Sequence, residues 1–214
     1  MDIEVEKSDI RGQFAAPPIG KYGGDYSFAG MFLARAALDS SVICTNLSAS
    51  SEQSGRIVLD ILRAFGAKVT RGGDNVNVRA DKLRGCEVSV AEFPQIAPIT
   101  SLLALFCSGR SRISGFESDP GQLALTVENL TALGARCEIG RDELWVWPQR
   151  SVRHAVLNAK NRPYTAMALI LISTYTPGVT AVRGVDALIE RYPGFMDTLA
   201  SLGGKAKLCK LSLS

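Results

Sequence analysis

Cysteine and histidine are the residue types in this chain that could bind a metal ion or carry redox chemistry. The 214-residue sequence has five cysteines and one histidine, His154. The cysteines lie far apart, and no two of them have the Cys-x-x-Cys spacing that zinc and dithiol sites use. We therefore predict no metal site, and we expect small buried side chains in a reducing compartment. The cysteines are Cys44, Cys86, Cys107, Cys137 and Cys209.

A lone amide precedes one of the most apolar segments of the chain. Gln95 lies between two prolines in EFPQIAPITSLLALF (residues 92–106), which otherwise reads as a buried helix. An amide has no titratable proton near neutral pH, so Gln95 cannot act as a general base. On the residues alone, we expect it to cap this helix or to form a hydrogen bond at its start. Asp25, in the string GDYS, is expected to cap another helix together with Ser27.

The composition is that of an ordinary globular protein, with 46% hydrophobic and 21% charged residues. The net charge is only +3, lysine and arginine are scattered, and aromatic residues make up 7%, so a nucleic-acid-binding surface is not expected. The N-terminal residues lack the pattern of a signal peptide, and the longest apolar runs are shorter than a membrane span. We expect a cytoplasmic protein with no membrane partner.

Three segments of the sequence end in the same way, with an apolar stretch followed by a glycine. The glycines are Gly66, Gly134 and Gly203, which are 68 and 69 residues apart. Each stands where a glycine ends a helix, directly after the last apolar residue of a helical pattern. Such self-similarity indicates one structural unit used three times. The segments are ILRAFGAKVT (61–70), NLTALGARCEI (129–139) and TLASLGGKAKL (198–208).

Each repeat predicts a β-α-β-α-β-β unit, with the units at about residues 1–83, 84–148 and 149–214. The first helix of each unit is apolar on nearly all sides, so it must be enclosed by the rest of the protein. We therefore predict one α/β (α+β) domain, with helices inside and sheets outside, around a pseudo-threefold axis. The opening strands are predicted in IEVEKSDI with RGQFAAP, in CEVSVAE and in RHAVLNA.

Several strings in this repeat resemble the enolpyruvyl transferases, whose two hinged domains consist of such units. KSDIRGQFAAPP (7–18) is similar to the family's opening strands and to the start of its Pro-Pro-Ser-Lys-Ser motif. GDYSFAGMFLARAAL (24–38) is similar to the stretch that follows the return from the second domain. The resemblance implies that this chain is the domain carrying both termini, with the second domain absent between about Lys21 and Tyr22. Four further strings match in order: EFPQIAP, GFESDPGQ, NRPYTAMAL and ERYPGF.

The resemblance implies a reaction of aromatic amino acid biosynthesis in the shikimate pathway. The enolpyruvyl group of phosphoenolpyruvate is transferred to the 5-hydroxyl of shikimate 3-phosphate, with no metal or organic cofactor. This chemistry needs a carboxylate that accepts the hydroxyl proton, an acid that protonates the enol carbon, and fixed cations for the substrate anions. Glu117 corresponds to the Glu of the family's catalytic loop, so this residue is retained. Gln95 stands where the family has its catalytic Asp.

Most of the cations that the resemblance implies are replaced in this sequence. Pro120 stands where the family has an Arg that holds phosphoenolpyruvate, and Arg162-Pro163-Tyr164 stands where it has Asp-His-Arg. Glu190 replaces a late Lys. Lys21, Arg162 and Arg191 could still bind a substrate anion. The alternative is that these three side chains are solvated surface charges.

Three functions are open at this point. The favoured one is an enolpyruvyl transferase-like domain with a degraded active site, non-catalytic alone, that binds a partner or a small anion such as phosphoenolpyruvate or shikimate 3-phosphate. The second is an active transferase, completed in trans by a second chain or by a homodimer across the former interdomain face. The third is a purely structural domain. Gln95 and Glu190 favour the first function, whereas Glu117 and Lys21 favour the second.

Overall fold

A computed structural model of the protein describes residues 1–20, 23–149 and 151–209. Lys21, a predicted substrate-binding residue, lies outside the described residues. The described helices are α1 (Tyr26–Asp39), α2 (Ile57–Phe65), α3 (Ala97–Ala104), α4 (Pro120–Ala132), α5 (Pro163–Ser173), α6 (Asp186–Arg191) and α7 (Phe195–Ser201). The described strands are β1 (Asp2–Glu6), β2 (Gly12–Ala15), β3 (Ser41–Thr45), β4 (Lys68–Gly72), β5 (Asn75–Arg79), β6 (Glu87–Ser89), β7 (Ser111–Ser114), β8 (Cys137–Ile139), β9 (Glu143–Val146), β10 (Val156–Asn158), β11 (Val179–Arg183) and β12 (Lys205–Cys209).

These strands form three four-stranded sheets that share one topology. The strand orders are β2-β3-β5-β4, β6-β7-β9-β8 and β10-β11-β1-β12. In each sheet the first two strands are parallel, and the other two neighbouring pairs are antiparallel. A parallel pair needs a crossover connection, and a helix supplies it in each case: α1, α3 and α5.

The helices α1, α3 and α5 form the centre of the molecule and pack against one another. Every residue of α3 is buried, and so is every residue of α5 from Thr165 to Ser173. A helix that is apolar on all sides is stable only when it is enclosed. The α/β fold with helices inside and sheets outside is confirmed. The N-cap is also confirmed, since the Asp25 carboxylate accepts hydrogen bonds from the backbone N–H groups of Ser27 and Phe28 at 2.7 and 3.2 Å.

The three repeated glycines follow the outer helices of the units, which are α2, α4 and, in the third unit, α6 with α7, as the sequence predicts. Gly66, Gly134 and Gly203 have backbone φ angles of 97°, 84° and 96°. Residues with a Cβ atom rarely adopt this left-handed conformation, which explains why glycine recurs at the position. After each glycine the chain reverses into a strand, β4, β8 or β12.

Two elements differ from the predicted arrangement. We expected β1 to open the first repeat, but it pairs with β11 and β12 in the third sheet. It takes the place that β5 and β9 hold in the other two sheets, so the first unit begins near β2 and not at residue 1. The outer helix of the third repeat is split into α6 and α7, because Pro193 has no backbone N–H and interrupts the helix.

No described helix combines the length and the apolar character that crossing a bilayer requires.

Candidate active site

The N-terminal ends of the three central helices meet on one face, which we call the helix-start face (Asp25, Phe93 and Tyr164). Phe93, before α3, packs edge-on against Tyr164 at the start of α5, with ring centroids 5.6 Å apart. The Tyr164 hydroxyl lies 3.0 Å from the Tyr192 hydroxyl, which donates to the Asp25 carboxylate at 3.2 Å. These contacts connect the starts of all three helices. Residues at these starts are therefore candidates for one shared site.

Gln95 lies on the helix-start face in a 3-10 turn (Pro94–Ile96) that runs directly into α3. Its side chain is exposed, and no hydrogen bond to it is found within the described part of the chain. The capping role that we expected for Gln95 is therefore not seen. The N-cap positions of the turn and of α3 are held instead by the apolar residues Phe93 and Ile96. An exposed amide at this position offers a ligand hydrogen bonds but no base.

Arg162 forms a two-point ion pair with Asp119, the N-cap residue of α4. Its Nη1 and Nη2 atoms donate to the two carboxylate oxygens at 2.5 and 3.2 Å, and Nη1 also donates to Gln122 Oε1 at 3.2 Å. Asp119 accepts a further hydrogen bond from the backbone N–H of Gln122 at 3.0 Å. The Arg162 guanidinium holds the pKa of the Asp119 carboxyl below its usual value. An incoming anion would therefore have to displace Asp119 from this arginine.

Tyr192 connects the junction of α6 and α7 to the start of α1. Burial raises the pKa of its phenol, and the hydrogen bond with Tyr164 adds to this effect. The hydroxyl therefore stays protonated at neutral pH and donates to Asp25. The Arg191 guanidinium lies 5.7 Å from the ring centroids of both tyrosines, a distance at which cation–π attraction operates. Arg191 and Glu190 themselves are exposed at the rim of the face.

The predicted site residues are thus only partly brought together. Arg191 contacts the ring of Tyr164. Because Tyr164 is only two positions after Arg162, both arginines lie near the start of α5. Glu117 is exposed in the loop before α4 and forms no ion pair with another described residue. Sequence reasoning missed the carboxylate that binds Arg162. The available signal was the Asp119-Pro120 pair, which is typical of an N-cap followed by the first helical residue.

The five cysteines are free thiols. Within residues 1–20, 23–149 and 151–209, no three His, Cys, Asp or Glu side chains lie close enough together to hold a metal ion. Burial raises the pKa of the Cys44 and Cys107 thiols to about 12, so neither forms a thiolate at neutral pH. Both side chains pack in the hydrophobic core, as expected from the sequence, whereas Cys86, Cys137 and Cys209 are only partly buried, contrary to that expectation.

A family model described as EPSP synthase (3-phosphoshikimate 1-carboxyvinyltransferase) matches residues 3–199. Among curated proteins, the 3-phosphoshikimate 1-carboxyvinyltransferase of Methanococcus maripaludis is 27% identical over 191 residues, which cover 86% of this chain and 44% of the relative. That of Thermococcus kodakarensis is 32% identical over 186 residues, covering 85% and 46%. The chain thus spans about half the length of these relatives.

Solved structures show the same fold. EPSP synthase from Acinetobacter baumannii superposes with a TM-score of 0.77 at 17% sequence identity, covering 87% of this chain and 47% of that one. The enolpyruvyl transferase NikO from Streptomyces tendae superposes with a TM-score of 0.70 at 23% identity, covering 86% and 44%. At these identities the structural likeness establishes the arrangement of helices and sheets and not the chemistry of the site.

Proposed function

This chain belongs to the EPSP synthase family, and from that membership we propose that it is a domain of this type that does not catalyse enolpyruvyl transfer on its own. It acts instead as a binding or partner module. The observation that carries the proposal is the ion pair between Arg162 and Asp119. Arg162 stands at the matched substrate-binding positions, and its guanidinium is already bound to the Asp119 carboxylate. Gln95 supports the proposal, because an amide cannot accept the hydroxyl proton as a base would.

The extent of the match supports the same proposal. The chain spans about half the length of its curated relatives, as one of the two hinged domains of the family would. A site formed between two domains needs both of them to surround the substrates and to exclude water. One domain alone leaves the substrates open to solvent and supplies only half of the groups that hold them.

Glu117 favours a second candidate, an active transferase completed in trans. Its exposed carboxylate forms no ion pair within the described residues, so another chain could bring cations to it across the former interdomain face. A second copy of this chain is a poorer complement. It would supply another Gln95 and another Arg162–Asp119 pair, but none of the cations that Pro120 and Glu190 replace.

The test is the release of inorganic phosphate from phosphoenolpyruvate in the presence of shikimate 3-phosphate. We expect no release above the protein-free rate at any protein concentration, either for the wild type or for Gln95→Asp. Restoring the carboxylate supplies a base but not the missing cations, and both are needed.

Two kinetic outcomes would contradict this proposal. Release proportional to protein concentration would identify a catalyst that works alone, and release that rises with the square of the concentration would identify an active homodimer. Glu117→Gln is the matched control, since release that survives this substitution comes from a contaminating enzyme and not from this chain.

A further inference from the structure

At two of the three boundaries between neighbouring units on the helix-start face, an internal bond joins the opposite walls, and we call these two boundaries closed grooves. Between the second and third units, Asp119 at the start of an outer helix binds Arg162, which precedes a central helix. Between the third and first units, Tyr192 at an outer-helix junction donates to Asp25, which also precedes a central helix. In both grooves, the bond takes up the polar groups that a ligand could otherwise use.

The groove between the first and second units is open. It is a cleft of about 530 Å³ between the start of α2 and the turn before α3. Arg56 on one wall and Glu92 on the other correspond in place to the bonded pairs of the closed grooves, but they form no ion pair with each other or with any other described residue. The remaining lining residues are Ser51, Glu52, Gln53, Ser54, Ile57, Leu59, Asp60, Arg63 and Arg71.

Two of the three arginines in this cleft have no carboxylate partner among the described residues. Arg63 pairs with Asp60 at 2.7 Å. Arg56 donates only to the Ser51 carbonyl oxygen, and Arg71 donates to the Tyr26 hydroxyl and to the Leu47 carbonyl oxygen.

Both unpaired guanidiniums lie within reach of the same aromatic ring. Their central carbons are 6.0 and 5.7 Å from the centroid of the same Tyr26 ring. Two guanidiniums without a carboxylate partner among the described residues, both lining an open cleft, can bind an anion through their remaining N–H groups.

We propose that this cleft is a binding site for a small phosphate monoester that carries free hydroxyl groups. The phosphate binds to the guanidinium groups of Arg56 and Arg71, whose fork geometry suits phosphate oxygens. The hydroxyl groups donate to the carboxylates of Glu52 and Glu92 at the mouth of the cleft. Neither Gln95 nor Arg162 lines this cleft, and the inference holds whether or not the chain turns over a substrate.

The experiment is calorimetric titration of the full chain with glycerol 3-phosphate and with inorganic phosphate. We expect saturable binding of both, with tighter binding of glycerol 3-phosphate, because inorganic phosphate has no carbon-bound hydroxyl groups to reach Glu52 and Glu92. Arg56→Gln should weaken both by about tenfold or more, as expected for the loss of hydrogen bonds from a charged donor. Arg11→Gln removes the same charge from an exposed ion pair outside this cleft and should leave both affinities within about twofold.

Glu92→Gln is the second variant, because Glu92 is exposed and Arg56→Gln could disturb the start of α2. It removes a negative charge near the phosphate, so inorganic phosphate should bind about two- to fivefold more tightly. The inference is overturned if the wild type shows no saturable binding up to about 10 mM ligand. It is also overturned if Arg56→Gln and Arg11→Gln weaken binding equally, or if Glu92→Gln fails to tighten phosphate binding.

Discussion

Arg162 and Asp119 show that a cation can be present at a matched position and still be occupied by its own protein. The sequence identifies Arg162 as a charge near the family's substrate-binding positions, but not its partner, which lies 43 residues away. The two-point geometry makes this pair stronger than an ordinary surface ion pair. The state of Arg162 therefore depends on the carboxylate at the start of α4, and that carboxylate can be changed separately.

Asp119→Asn tests how much this ion pair contributes. The amide keeps an oxygen for the N-cap hydrogen bond but loses the charge. At pH 7 we expect the free energy of unfolding to fall by about 0.5 kcal/mol, since both partners are more than one-third exposed. Because the folded-state pKa of Asp119 is lowered, its charge stabilises the fold above the unfolded-state pKa of about 3.9 and the effect is lost as the pH falls through the folded value.

Urea unfolding of wild type and Asp119→Asn at pH 7 and at pH 2.5 checks this prediction. The difference between the two proteins should be present at pH 7 and should largely disappear at pH 2.5. A difference of the same size at both values would mean that the substitution acts through the N-cap and not through the ion pair.

The residue types of the candidate site could be predicted from the sequence, but the contacts between these residues could not. Asp25 as an N-cap follows from its local sequence, because capping needs only a short polar side chain before a helix. Gln95 was wrongly expected to cap α3, because nothing local distinguishes a 3-10 turn that continues into the helix from a true N-terminus. The contacts of Tyr192 with Tyr164 and Asp25 join residues 28 and 167 positions apart, so only the assembled fold reveals them.

At the scale of elements, Gly30 allows a close contact between α1 and α2 at Val58. A Cβ atom at this position would lie 2.6 Å from Val58 Cγ1 and 3.2 Å from Val58 Cβ, so a side chain there requires a shift of α2. Gly30 is fully inside α1, where glycine is a poor helix former. Close packing therefore outweighs helix propensity at this position.

Gly30→Ala should consequently destabilise the protein, although alanine favours the helix. Overpacking costs about 1–3 kcal/mol, whereas the gain in helix propensity is at most about 1 kcal/mol. Val58→Ala alone should cost about 2 kcal/mol through the cavity it leaves. In the double variant the new methyl group occupies part of that cavity. Denaturant unfolding should then show a double variant that is less destabilised than the sum of the two single variants. Strictly additive losses would contradict the contact.

The elements themselves follow from the sequence where a local rule specifies them. The three glycines ended the outer helices as predicted, because the left-handed conformation is a local requirement. The pairing of β1 was not predictable in this way. Its alternation of apolar and charged residues specifies a strand with one buried face, but not the sheet in which that strand lies. Its register with β11 and β12 depends on the closure of the whole molecule.

At the scale of the whole molecule, β1 closes a ring of three units by completing the last sheet. In the first two sheets, the corresponding strand follows its neighbour directly in a hairpin, as β5 follows β4 and β9 follows β8. In the third sheet the neighbour is β12, and Cys209 at its end lies opposite Asp2 at the start of β1. A short turn could therefore join these two residues.

A circular permutant tests whether β1 is simply the last strand of the third unit, which in this chain comes first in the sequence. In this variant the chain starts at Ser8, and residues 2–7 follow Cys209 through a short glycine-containing turn. We expect it to unfold cooperatively, with a thermal midpoint within about 5 °C of the wild type, since about 1 kcal/mol corresponds to 2–4 °C at this length.

The matched control lacks residues 1–7 altogether. It should not unfold cooperatively, because β11 and β12 lose the strand that joins them and the apolar side chains Ile3 and Val5 leave the core. If the permutant were as disordered as the deletion, the short connection before β2 would be essential to the fold, and the third unit would not be equivalent to the other two.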